Sequence, residues 1–307
     1  MADVIVLGGG IIGLTSAVRL AEAGADVTVW APDDPRDTVS SIAAAVWYPT
    51  HTDYAPRLLT WAGRTYDEFT RQAAAGVPGV LLRATRNLER EASGAVPWWA
   101  SAARDVTIGP AAPPYARTVR FTAPLVEMNV YLPWLRSRVT VRRRAVTDLA
   151  EALAEAPVVV NATGLAAGRL AGDPDVFPAR GQIVLVANPG LTESVRAGGD
   201  PGSYVHPRSS DVVLGGTFEV GRWDTGPDPA TRATILRRCT ALVPALAGAP
   251  VLGERVGLRP CRTGGPRVER DGAVVHAYGH GGAGMTLAWG CADEVTALVT
   301  GGVTSGR

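Results

Sequence analysis

The sequence predicts an α/β fold in which a nucleotide-binding parallel sheet is interrupted by antiparallel material. Three observations predict it. An apolar run at residues 3–7 leads into Gly8, Gly10 and Gly13 and then a helical pattern, which is the start of a βαβ unit. A βα piece near 139–171 and a closing strand, glycine cluster and helix after residue 273 suit the same sheet. Between them, residues 80–126 hold short alternating segments such as TVRFTAPLV, mixed with Pro and Gly, as an antiparallel sheet would.

Each element follows in order. Asp3-Val4-Ile5-Val6-Leu7 reads as a strand buried on both faces. A helix is expected from Ile12 to Ala23, stopped by Gly24, and a second buried strand over Asp26 to Trp30. Gly8 makes the tight turn, Gly10 lets a pyrophosphate near the backbone, and Gly13 lets helix pack on strand. The helix start adds roughly half a positive charge facing the phosphates. An acidic residue for the ribose is expected about 20 positions on. Asp33 and Asp34 are the candidates, and Asp26 sits at the wrong end of its strand. Small residues then run from Ser40 into Val46-Trp47-Tyr48-Pro49. Helices are expected over 58–75, 126–138 (despite Pro133), 146–156 and 231–242. Strands are expected over 139–141 and 158–160, near 183–186, 203–206 and 212–214, and over 273–278. The last strand feeds Gly279, Gly281, Gly282 and Gly284, which crowd the start of the final helix. Ordering glycine costs more backbone entropy than ordering any other residue, so something must approach that backbone closely.

Composition narrows the function. The chain has 307 residues, 46% of them hydrophobic, enough for two domains or one elaborated α/β domain. A net charge of +1 gives no bulk reason to expect nucleic acid or a membrane surface as partner. The chain contains no lysine. Three scattered cysteines (Cys239, Cys261, Cys291) suit neither a disulfide framework nor a zinc cluster and fit a reducing cytosol, so a cytoplasmic protein is expected. The N-terminus lacks a basic region and its apolar run is broken by glycines, so no signal peptide is expected. Ser305-Gly306-Arg307 is no peroxisomal address. His276 and His280 share no helical face, so no metal site is expected.

Seven segments, VIVLGGGIIGLTSAVRLAEAG, AAAVWYP, VVVNATGLAAG, RGQIV, VVLGGTFEVGRW, GERVGLRPCR and HAYGHGGAGMTLAWGCA, resemble in order those of the FAD-dependent D-amino-acid oxidases, a family that includes the D-aspartate oxidases. The matches run from residue 3 to about 295, and the most diagnostic are Gly257-Leu258-Arg259-Pro260 and Tyr278 to Gly284. The resemblance implies FAD rather than NAD. It implies a discontinuous Rossmann-like FAD-binding domain (1–75, 139–178 and 256–307) with an inserted α+β substrate domain on an antiparallel sheet (76–138 and 179–255). It implies oxidation of a D-amino acid to an imino acid by hydride transfer from Cα to flavin N5. Water then gives the 2-oxo acid and ammonia, and molecular oxygen becomes hydrogen peroxide. Dimers are common in the family, an associational pointer to a homodimer.

The resemblance also implies residue roles. Arg259 would grip the substrate carboxylate with Tyr204, and the Gly282 carbonyl would take the amine. Arginine suits that task, since its fork binds a carboxylate through two parallel hydrogen bonds. Its alternative is a structural ion pair with an Asp or Glu. FAD would meet Gly8, Gly10, Ile11, Ile12 and Gly13 at the first turn, Asp33 at the ribose, and Ser40 and Ser41 at phosphate. Ala45, Val46 and Trp47 would line the ring, with Tyr48 where a glutamine-like contact usually sits. Thr163 and Gly164 would follow, then Gly281, Gly282, Gly284, Met285 and Thr286 at the flavin edge, where a helix N-terminus would stabilise negative charge. No acid–base side chain is needed. The family's lid tyrosine is missing, since Asp200 stands there, so a short lid is expected. Either His206 or Arg208 could face the pocket and favour acidic substrates, or both could be solvated. Arg262, Arg267 and Arg270 are expected to be solvated. Cys261 or Cys291 could attach flavin covalently, although buried inert thiols are the better expectation. The alternatives are a D-aspartate, glycine or sarcosine oxidase, a non-catalytic flavin sensor, and an NAD-dependent dehydrogenase.

Overall fold

The computed structural model describes residues 3–32, 34–49, 55–91, 95–198 and 203–301. In chain order the strands are β1 (Val4–Leu7), β2 (Val27–Ala31), β3 (Val80–Glu89), β4 (Arg104–Pro110), β5 (Arg117–Val126), β6 (Thr140–Arg143), β7 (Val158–Asn161), β8 (Val176–Val186), β9 (Ser194–Ala197), β10 (Ser203–Pro207), β11 (Val212–Gly215), β12 (Glu219–Val220), β13 (Val251–Arg262), β14 (Arg267–Asp271) and β15 (Val274–Tyr278). The helices are α1 (Ile11–Glu22), α2 (Val39–Ile42), α3 (Pro56–Ala74), α4 (Met128–Arg136), α5 (Ala150–Leu153), α6 (Ala166–Leu170), α7 (Pro229–Leu242) and α8 (Gly284–Thr300).

The first sheet runs β14-β15-β7-β1-β2-β6, parallel except for β14. Val4 of β1 faces Val27 on one side and Val158 on the other, and all four β1 residues are buried. The apolar runs read from the sequence thus form the centre of a sheet covered on both faces. A Cβ on Gly13 would overlap the Gly8 carbonyl, so the third glycine of the fingerprint seats α1 against its own turn. Helix α8 packs against both α1 and α3.

The second sheet is antiparallel apart from the β3–β9 pair and runs β12-β8-β11-β10-β9-β3-β5-β4, with β13 also on β8. Its long pair, β8 with β13, holds register from Leu185 and Gly253 to Val176 and Arg262, with a bulge between Val251 and Gly253. That pair extends across the expected domain joins at 178/179 and 255/256. A strand as long as 251–262 was not foreseen, since VLGERVGLRPCR has two glycines, a proline and no clean alternation. Pairing along all of β8 makes it one. The strand expected near 183–186 is the end of the longer β8. The helix expected over 146–156 shrinks to α5, because the Glu151 carboxylate caps the Thr147 and Asp148 N–H groups and delays its start. Asp228 caps α7 through Ala230 and Thr231, with Pro229 at the first position. Among the described residues, no helix is long and apolar enough to cross a membrane.

Candidate active site

A cavity of about 670 Å³ opens between the two sheets, within the size range of small-molecule sites. One wall is the carboxyl edge of the parallel sheet: Ile11 and Ile12 after β1, Ala162 and Gly164 after β7, and Gly279 to Gly282 with Gly284 to Thr286 after β15. Open parallel sheets bind ligands at that edge. The opposite wall comes from the antiparallel sheet: Asn87, Arg196, Tyr204, His206, Gly181 and Arg259.

On the first wall two helices start facing the cavity without a side-chain cap. The N-cap of α1 is Gly10 and that of α8 is Ala283, and neither provides a side-chain hydrogen bond. A helix N-terminus carries N–H groups that its own carbonyls cannot satisfy, and partial positive charge. Ser40 sits over the first of them, its Oγ accepting the Ile11 N–H at 3.0 Å. Two such ends on one cavity suit an elongated ligand with an anionic middle and an acceptor of negative charge at its far end, as FAD is.

The other wall is a cross-strand row. Tyr204 on β10 lies opposite Arg196 on β9 and Gly215 on β11, and Arg196 in turn lies opposite Asn87 on β3. A Cβ on Gly215 would overlap the Tyr204 ring, so the tyrosine lies over the space a side chain would fill. Gly181 on β8 does the same for Arg259: a Cβ there would overlap the guanidinium. Arg259 Nη1 donates to the Thr217 carbonyl at 3.0 Å, and the guanidinium stands 5.3 Å from the Phe218 ring. Burial raises the Tyr204 hydroxyl above the usual phenol range, against the pull of Arg259 and Arg196, so it stays a donor at neutral pH.

Arg196 was not singled out in the sequence, where it stands alone in SVRAGG. Its guanidinium stands 4.3 Å from the Tyr48 ring centre and 5.5 Å from that of Tyr204, with Nη1 3.4 Å from His206 Nε2. Burial pulls its pKa below the ordinary value. Among the described residues, neither Arg196 nor Arg259 has a carboxylate partner. Two cations therefore line one cavity without counter-ions, an arrangement costly to bury unless anions complete it.

The other expected residues divide. Ile11, Ile12, Ser40, Ala45, Val46, Gly164, Gly281, Gly282, Gly284, Met285 and Thr286 line the cavity. Gly8, Gly10 and Gly13 shape the turn behind it. Trp47 does not reach it: Val46 bridges Leu125 and the chain alternates, so Val46 and Tyr48 face the cavity and Trp47 the core. Trp47 is fully buried, and its Nε1–H donates to the Ala62 carbonyl at 3.0 Å. Ser41 turns its hydroxyl to the Arg36 and Thr38 carbonyls, away from the cavity. Thr163 donates to Asn161 Oδ1 at 2.7 Å and does not line the wall. Thr286 uses its hydroxyl on the Tyr48 main chain, tying that segment to the start of α8. Asp33 and Asp200 lie outside the described residues, and the exposed Asp34 pairs with Arg36. Of the two residues after Tyr204, His206 faces the cavity, whereas Arg208 grips Asp211 through two bonds of 2.6 Å.

The expectation that Arg262 and Arg267 are solvated is corrected, whereas Arg270 is exposed as expected. Arg262 binds Asp173 at 2.8 Å, Arg267 bonds Glu269 and the Tyr278 hydroxyl, and Arg270 caps carbonyls at the end of α8. The pairing of β14 with β15 sets Arg267 opposite Tyr278, and that of β13 with β8 sets Arg262 opposite Val176, close to Asp173. Burial raises the Cys261 and Cys291 thiols, which disfavours the reactive thiolate. Among the described residues no group of three His, Cys, Asp or Glu is placed to hold a metal.

Comparison with known proteins decides the family. The profile described as FAD dependent oxidoreductase matches residues 3–298. The chain belongs to that family. FAD is accordingly its cofactor. Within the family, the chain is 46% identical to a protein of Rubrobacter xylanophilus named D-amino-acid oxidase, over 97% of this chain and 96% of the other. It is 35% identical to a human protein named D-aspartate oxidase, over 97% and 95%. In fold it resembles a glycine oxidase from Bacillus cereus, with a TM-score of 0.82, 18% identity and 98% coverage of both chains.

Proposed function

We propose that this protein is a D-amino-acid oxidase in which Arg259 and Tyr204 bind the substrate α-carboxylate and the Gly282 carbonyl accepts from its amine. One observation carries the reading: a cation with no carboxylate partner among the described residues and a protonated phenol are both fitted over glycines inside a cavity that has two helix N-termini on its far wall. The parallel sheet, with segments 1–75, 139–178 and 256–307, forms the FAD side. Segments 76–138 and 179–255 form the substrate side, with the β8–β13 pair joining them.

FAD, when bound, supplies the hydride acceptor and passes the electron pair to oxygen as hydrogen peroxide. The chain supplies orientation. Arg259 can hold a carboxylate through two parallel bonds with Tyr204 adding a third donor, and Gly282 fixes the amine. With carboxylate and amine fixed, only one enantiomer can turn its Cα–H toward the FAD side of the cavity. No histidine on the wall is needed as a base, and His280 is unsuited to protonation there: burial, helped by Arg57, lowers it to about 3. The imino acid product hydrolyses in water to the 2-oxo acid and ammonia.

A second reading narrows the substrate. Arg196 faces the same cavity beside Tyr204, so the structure favours acidic D-amino acids, whose second carboxylate would pair with it. The test is an anaerobic absorption spectrum of the holoprotein with D-aspartate, D-alanine and their L forms. Bleaching of the yellow colour by D forms only is expected, faster with D-aspartate. No bleaching by any D-amino acid would overturn the first reading, and faster bleaching by D-alanine would overturn the second.

A further inference from the structure

His206 needs an account that the α-carboxylate clamp does not give. It lies on β10 two residues after Tyr204, on the same face, with the rings stacked at 4.9 Å and 13°. It is 1% exposed, and among the described residues its Nδ1 has no hydrogen-bond partner of good geometry. Valine would fill such a strand position without an orphaned polar atom, so the ring is kept for something the other nitrogen does. That nitrogen, Nε2, stands 3.4 Å from Arg196 Nη1. A guanidinium only donates, so Nε2 accepts and the ring proton resides on Nδ1.

We propose that His206 is the positioning residue of an acidic-substrate subsite: its Nε2 holds the Arg196 guanidinium against Tyr48 and Tyr204 so that the remaining donors face the distal carboxylate of the substrate. This rests on the second reading above. The chemistry of position 206 is selective. An aliphatic side chain would leave the buried guanidinium without this acceptor. A carboxylate would accept but would cancel the charge and compete with the substrate. A neutral acceptor orients the cation and leaves its charge for the ligand. Burial and the neighbouring Arg196 cation both keep the imidazole neutral.

The test uses two unreactive probes of equal length, succinate and butyrate, titrated calorimetrically into the holoenzyme. They differ by one terminal carboxylate. The wild-type protein is expected to bind succinate about 10-fold tighter or more, the effect of charge-assisted hydrogen bonds. In His206→Val that preference should fall to within about 3-fold, and His206→Gln, which keeps an acceptor, should restore most of it. His206→Glu should lose it. Wild-type preference retained in both the Val and Glu variants would overturn the role of His206 and leave Arg196 as the subsite. If His206→Val does not fold, the Gln and Glu variants decide: equal preference in the two overturns the proposal. No succinate preference in the wild type, and no change in Arg196→Met, would overturn the acidic reading and the proposal together.

Discussion

Gly181 exists for the sake of Arg259. A methyl group at 181 would occupy the place of the guanidinium Cζ and both Nη atoms, and those atoms are the movable end of a long side chain. Gly181→Ala should therefore fold normally and push the fork off its seat. Losing charge-assisted hydrogen bonds of about 1.5–3 kcal/mol corresponds to roughly 10–150-fold in kcat/KM for the D-amino acid, mostly through KM. Steady-state kinetics would show it, and an unchanged KM would mean that Arg259 does not hold the substrate. Residues of this kind mark the limit of the sequence. Arg259, Tyr204 and the glycines before α8 were legible because each lies in a recognisable motif. Gly181, Gly215 and Arg196 act across strands, and a cross-strand row has no spacing along the chain to give it away; His206 was named only as one of two candidates, because nothing along the chain separates it from Arg208. Trp47 was misread because alternation was not followed through VWY: its neighbours face the cavity and it faces the core.

Helix α8 ties the site to the core, and Gly290 sets how closely it does so. A Cβ on Gly290 would overlap the main chain of Trp61 on α3, while the Gly290 N–H bonds Thr65 Oγ1 at 3.0 Å. Two effects of Gly290→Ala compete. Helix propensity favours alanine by about 1 kcal/mol. Overpacking against a backbone that cannot rotate away costs about 1–3 kcal/mol, and the lost approach strains the Thr65 bond as well. Packing should win, lowering the thermal midpoint of the holoprotein by several degrees in calorimetry. A raised midpoint would show that the α3–α8 contact is looser than described. Elements with their own local signal were readable from the chain alone: β1, α1 and β2 by apolar runs and glycine stops. The full β13 strand was not, because its glycines and proline weaken any local preference and its order comes from the partner β8, some 70 residues away.

At the scale of the whole molecule, the buried imidazoles make acid stability a property of histidine before it is one of carboxylates. Burial lowers His206 well below its ordinary value, aided by Arg196. Burial also lowers His276, aided by Arg267, and takes His280 to about 3. The unfolded chain binds these protons near pH 6.5 while the folded chain resists them. Below 6.5 the unfolded state therefore carries more protons, and stability present above that pH is lost as the pH falls toward the folded values. Several carboxylates are lowered instead, Glu269 by Arg267 and Asp228 by the Thr231 hydroxyl, and their contribution goes only below about pH 4. The two groups thus separate on the pH axis. Denaturant titrations of the holoprotein should show stability falling between pH 6 and pH 5, with a slope of up to about 1.4 kcal/mol per pH unit for each imidazole. The His206→Gln and His276→Gln variants should each flatten that slope by up to one proton. Stability that stays level down to about pH 4.5 would mean that these rings take up protons in the folded protein, and with a charged His206 the neutral acceptor beside Arg196 would be gone.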